Sequence, residues 1–158
     1  MSKYKYLIKN MGLLTLSNFA TKLLSFFLVP LYTSILSTAE YGEYDFISST
    51  VGILVPILNI YEAVLRYSMD KEAAPKDVFS IGLKFCLIGN SITILFLVVN
   101  HFFAISRIID DLSIYFFLIF FTNSISGIIS SMARGLDRIK EISIASVIGS
   151  IITITLNI

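Results

Sequence analysis

The spacing of the charged residues constrains this chain more than any other feature. They fall in short clusters, and between the clusters run apolar stretches near the length of about 20 residues that a helix rising about 1.5 Å per residue needs to cross about 30 Å of hydrocarbon. Five such stretches stand out, at residues 12–36, 44–66, 78–103, 112–133 and 142–158. Each is expected to be a helix, because an isolated strand leaves backbone groups unsatisfied in lipid and none of the runs alternates strictly as a membrane barrel strand does. The expected fold is all-α, a polytopic membrane bundle of about five transmembrane helices. Residues 1–158 would form one incomplete amino-terminal transmembrane lobe.

Composition agrees with a lipid environment. Hydrophobic residues make up 56% and charged residues 15% of the 158 positions, with a mean hydropathy of +0.84, against about 45–50% and about 25% in soluble domains. The first run is too long for a secretory signal, is interrupted by Lys22, and has no small-x-small cleavage site before Tyr41, so a retained span is expected. The connections 37–43, 67–77, 104–111 and 134–141 are short, as between antiparallel neighbours. Pro30 and Pro56 lie inside the first two spans, where each removes a backbone donor and is expected to kink its helix.

Lysine and arginine distribute unevenly. Lys3, Lys5, Lys9, Arg66, Lys71, Lys76, Arg134, Arg138 and Lys140 fall on one side of the expected topology and Arg107 alone on the other, which predicts a cytoplasmic amino terminus. An odd number of spans then carries the carboxyl terminus across, and the last span stops at Asn157-Ile158 with no interfacial aromatic and no charged anchor. That ending predicts a missing carboxyl-terminal half.

Several function classes lose support at this point. The net charge is +1 and no basic patch remains outside the loops, so nucleic acid is not an expected partner. Cys86 is the single cysteine and His101 the single histidine; neither has the neighbours of a metal site, and no cofactor is expected. No two carboxylates share a plausible site within a span, and no glycine-rich phosphate loop follows a strand. There is no catalytic constellation. Cys86 reads as a packing residue and His101 as an interfacial one.

Polar groups at membrane depth carry the remaining information, since a lysine near a helix centre costs roughly 2.5–3.5 kcal/mol to insert. Lys22 lies ten residues into the first span, about 15 Å deep by helix rise, and shares a face with Thr15, Asn18, Ser25 and Tyr32. Similar stripes are Gly52, Pro56, Asn59 and Arg66 in the second span, Asn123, Gly127, Ser130 and Arg134 in the fourth, and Ser143, Ser146, Ser150, Thr153 and Asn157 in the fifth. Small and hydroxylated residues also serve close helix packing. A buried cation is not needed for packing, and Lys22 therefore points to a wet passage. Asn18, Lys22, Ser25, Asn59, Arg66, Lys84, Asn123 and Arg134 are the candidate cavity residues. Lys84 is close enough to its helix end to snorkel. Glu62 is expected to form a structural ion pair with Arg66, four residues on, or with Lys84. A cavity with two lysines and few acids favours an anionic cargo such as a phosphate or pyrophosphate head group.

The stretch KNMGLLTLSNFATKLLSFFLVPLYTSILSTAEYGEYDF resembles the amino-terminal signature of bacterial polysaccharide flippases, the Wzx-type members of the multidrug/oligosaccharidyl-lipid/polysaccharide exporter superfamily. The resemblance rests on Asn18 and Lys22, the Val29-Pro30-Leu31-Tyr32-Thr33 exit, the Glu40-Tyr41-Gly42 turn, Glu62-Ala63-Val64 to Arg66, and Arg134-Gly135-Leu136-Asp137. It implies a protein of the bacterial cytoplasmic membrane with two helical lobes. By alternating access, such a protein would move an oligosaccharide linked to undecaprenyl pyrophosphate across the bilayer for a cell-surface polysaccharide such as capsule or O-antigen. The partners it implies are the lipid bilayer, the lipid-linked oligosaccharide with its anionic pyrophosphate, the missing carboxyl-terminal half, and polysaccharide assembly proteins. Lys22 would then meet the pyrophosphate, with Arg66, Lys84 and Arg134 nearer the cytoplasmic entrance. Two alternatives stay open: a cation-coupled multidrug antiporter of the same superfamily, and a membrane scaffold that transports nothing.

Overall fold

A computed structural model describes residues 8, 11, 12, 15, 16, 18, 19, 22, 23, 26, 29, 30 and 32–157. The described residues are helical throughout apart from short connections, with no strand among them. Six helices follow in order: α1 (Thr38–Leu58), α2 (Tyr61–Ser68), α3 (Pro75–Phe103), α4 (Arg107–Asp111), α5 (Ser113–Gly135) and α6 (Ile139–Asn157). The chain divides into two compact units, residues 1–41 with 137–158, and residues 42–136.

In the first unit ten of the 25 residues of the expected first span, 12–36, lie outside the described residues, and the described ones are helical as far as Ile35. Its end is clear. Helical conformation stops at Ile35 and resumes at Thr38, so the expected connection 37–43 shrinks to two residues and the Glu40-Tyr41-Gly42 turn is helix instead. The cause is a capping box in Ser37-Thr38-Ala39-Glu40. The Glu40 backbone N–H donates to Ser37 Oγ at 3.3 Å, and Glu40 Oε2 accepts from the Ser37 backbone N–H at 2.8 Å and its hydroxyl at 2.7 Å. Reciprocal bonds of this kind satisfy free donors at a helix start. In α6 the hydroxyls of Ser150, Thr153 and Thr155 each donate to the carbonyl four residues earlier, at 2.9 Å, which keeps them satisfied without water.

The second unit holds the packed core. Ile47, Val51 and Val55 recur every four residues along one face of α1, and Phe116 and Phe120 do the same on α5. Together with Ile109 they form one buried cluster, as the helical period of 3.6 allows. A second cluster joins Val64 of α2, Val78 and Cys86 of α3, and Ile128 of α5. Pro75 opens α3, where its missing N–H costs nothing.

The α3–α5 connection was expected to be a loop. It contains α4, a single helical turn after Ala104, which takes a left-handed φ of 48°. Asn100 holds it, with its Nδ2 donating to the Ser106 carbonyl at 3.0 Å and its Oδ1 accepting the Ser106 N–H at 2.9 Å. Beyond it His101 Nδ1 lies 2.8 Å from Asp110 Oδ1.

The outer faces of the long helices are apolar. Ile81, Leu87, Ile88 and Leu95 of α3 and Ile114, Leu118 and Ile129 of α5 face outward, while Asn59, Asn90, Thr93, Asn100, Ser124 and Ser131 are buried. Outer faces of this kind suit a hydrocarbon surrounding. Among the described residues, α3 and α5 are each long and apolar enough to cross a membrane, and the α1–α2 pair passes the same test as one span bent by 49°.

Candidate functional site

The bend in that span is the most distinctive local geometry of the second unit. Pro56 was expected to kink the helix, but α1 runs through Pro56 and ends at Leu58. The break falls at Asn59-Ile60. At that point Asn59 Nδ2 donates to the Val55 carbonyl at 2.9 Å, a bond to the carbonyl four residues back that Asn90 and Asn123 also make inside unbroken helices. Asn59 Nδ2 also reaches Ser124 Oγ of α5 at 3.2 Å. Ile60 leads into α2 with φ −104° and ψ 43° and no side-chain cap.

Glycines admit α2 between α3 and α5. A methyl group on Gly127 would lie 2.6 Å from the Tyr61 ring, and one on Gly89 would lie 2.7 Å from the Leu58 carbonyl oxygen. At Gly82 it would meet Val64 at 3.0 Å and Ile128 at 3.2 Å, and at Gly135 it would collide with Ser68. Small residues let helix axes approach closely in membrane proteins, where packing rather than water expulsion draws helices together.

Around the break lie polar groups that the helices leave incomplete. Asn90 Nδ2 donates to the Cys86 carbonyl at 2.8 Å, yet Asn90 Oδ1 and Asn59 Oδ1 are both buried without a hydrogen-bond partner. Their orientation is fixed, because turning either amide would set its oxygen against a carbonyl oxygen. The Tyr61 hydroxyl lies near Ser124 but is buried with no hydrogen bond of good geometry. Each such group costs roughly 1–3 kcal/mol when it is sealed from water.

The sequence-predicted residues distribute differently. In the first unit Asn18 and Lys22 are exposed, and Ser25 lies outside the described residues. In the second, Asn59 is buried at the break, whereas Arg66, Lys84 and Asn123 are exposed and Asn123 Nδ2 bonds its own helix at Ile119 O, 2.8 Å away. Arg134 is also exposed, and its side chain turns to Ser130 O at 3.4 Å and Ser131 Oγ at 3.2 Å. The Asn123 stripe was expected to face inward. The buried face of α5 is one residue further round, at Phe116, Phe120, Ser124, Ile128 and Ser131.

The ion pair expected at Glu62 does not form. Among the described residues the ion pairs are His101–Asp110 and Arg107–Asp111, and Glu62, Arg66 and Lys84 are all exposed, where a pair gains little against side-chain entropy. Sequence reasoning also passed over Asn90, Asn100 and Ser124. A signal was available for the first two, since an asparagine inside an apolar run marks a polar contact that the lipid cannot supply.

Helices long and apolar enough to cross a bilayer, with large apolar side chains on their outer faces, define a helical membrane protein. The sequence model of the family described as polysaccharide biosynthesis protein matches residues 7–158. The chain belongs to that family, and its role lies in polysaccharide synthesis or export. No curated protein and no solved structure matches it.

Proposed function

We propose that this chain is part of a flippase that carries lipid-linked oligosaccharide, bound through an undecaprenyl pyrophosphate head group, across the cytoplasmic membrane by alternating access, with its amino terminus in the cytoplasm. Family membership over residues 7–158 supports the polysaccharide side of this reading. The state of Lys22 supports the anionic cargo. It stands exposed in an apolar segment and forms no ion pair among the described residues. A cation without a protein counter-charge at membrane depth is stabilised by water or by an anion that visits it. A pyrophosphate supplies such an anion, and charge attraction in a low-dielectric surrounding makes the encounter favourable. Arg66, Lys84 and Arg134 are exposed cations that would attract an anionic head group at the cytoplasmic entrance in their own right.

Transport by the full-length protein tests this directly. Flipping of lipid-linked oligosaccharide is expected to fall at least tenfold in Lys22→Ala, as roughly 1.4 kcal/mol of lost head-group interaction requires, and to recover substantially in Lys22→Arg. Undiminished flipping in Lys22→Ala removes Lys22 from the mechanism. Export of a cationic drug instead of the oligosaccharide would replace this reading with the antiporter one.

A further inference from the structure

We propose that the groove between α3 and α5, at the end where α4 joins them, binds a phospholipid with a primary-amine head group of the phosphatidylethanolamine type. The groove has a volume of about 420 Å³. Ile94 and Leu97 of α3 and Phe117 and Leu118 of α5 line its apolar length, and His101 and Asp110 stand at its polar end. All of them lie within the unit of residues 42–136.

The depth of these groups matches a lipid lying with its head group at the polar end. α3 has 29 residues and is therefore about 43 Å long, more than the hydrocarbon thickness of about 30 Å, so its ends reach the head-group layers. His101 is in the last turn of α3, and the exposed Tyr115 of α5 stands at the same end, where tyrosine favours the interface. Ile94 precedes His101 by seven residues, which places it about 10 Å deeper in the hydrocarbon. Ile94 and Leu118 are about half exposed, so the groove opens along the outward apolar faces that a bilayer covers with acyl chains.

Selectivity comes from the polar end. Acyl chains are as apolar as leucine, so the tail alone gives no preference for one lipid over another. Asp110 and Asp111 stand against the single arginine of α4, Arg107, and that balance of charge favours a cationic group. His101 Nδ1 meets Asp110 Oδ1 at 2.8 Å, and a carboxylate accepts through two oxygens. A primary ammonium donates hydrogen bonds to such an acceptor, whereas a choline head group of equal charge has none to donate. The inference rests on the lipid-facing surface and not on the identity of the transported cargo.

Tryptophan quenching in the full-length protein, reconstituted in vesicles, tests this. Leu118→Trp puts a fluorophore at the edge of the groove, and Ile129→Trp puts one on an exposed face elsewhere on α5; the emission of protein with neither substitution is subtracted. The vesicles contain a lipid with brominated tails and either an ethanolamine or a choline head group. At position 118 the ethanolamine lipid is expected to bind about threefold more tightly than the choline lipid, the scale of one exposed charged contact. At position 129 the two should bind equally, and Asp110→Asn should abolish the preference at 118. Equal binding of the two lipids at 118 overturns the proposal, with no need of the Asp110 variant. The same preference at 118 and 129 overturns it as well, because the head group then acts on the whole surface. Persistence of the preference in Asp110→Asn, or the absence of quenching at 118 by either lipid, does so too; in the last case protein covers the groove.

Discussion

The two halves of the bent span both pack toward α5 but through opposite kinds of surface. Residues 47–55 of α1 present Ile47, Val51 and Val55 to Phe116 and Phe120, so large side chains interlock and keep the helices apart. Residues 61–68 of α2 meet Gly127 and Gly135, so backbones draw close and the Tyr61 ring and Ser68 fill the space that the glycines leave. The polar groups divide the same way. Asn100, at the α4 end, has both amide atoms bonded to Ser106, while Asn59 and Asn90, at the α2 end, each keep an unpaired oxygen. One half is held apart by large side chains and the other is drawn close by glycines.

The largest expected effect lies in the half with large side chains. Phe120 is fully buried, and Phe120→Ala should lower the unfolding free energy by about 3–5 kcal/mol, read as a fall in the thermal midpoint in detergent; a change below about 1 kcal/mol would mean that the aromatic seam does not hold α1. Next comes Gly89→Ala. Its added methyl meets the Leu58 carbonyl, a backbone atom that cannot rotate away, and a loss of about 1–3 kcal/mol is expected. The sharpest comparison is the smallest. Asn100→Leu strands two Ser106 backbone groups and should cost about 1–3 kcal/mol, whereas Asn90→Leu removes an unpaired oxygen and should be near neutral. Equal losses at the two asparagines would erase the distinction between the halves.

Much of the architecture was legible because lipid imposes a simple rule on sequence: long apolar runs must be helices. Ser37 and Glu40 show a readable signal that was passed over, for S-x-x-E before an apolar run marks a helix start, and the loop read at 37–43 is helix from Thr38. Asn59 was legible as a polar group inside an apolar run but not as a partner of α5. Its effect depends on whether its amide reaches Val55 O and Ser124 Oγ, and the second partner is distant in the chain. Glu62 misled for the opposite reason. The i to i+4 spacing to Arg66 permits a pair without requiring one, and both side chains stand exposed.

Apolar run length and charge clustering determined, from the sequence alone, that this chain lives in a membrane as helices, because the cost of a bare peptide group in hydrocarbon leaves no other local structure. Only the tertiary structure decided where the second span breaks, which face of α5 is buried and which asparagines go unpaired. Those outcomes turn on contacts between residues tens of positions apart, where glycine clearance and the reach of one amide outweigh any local preference.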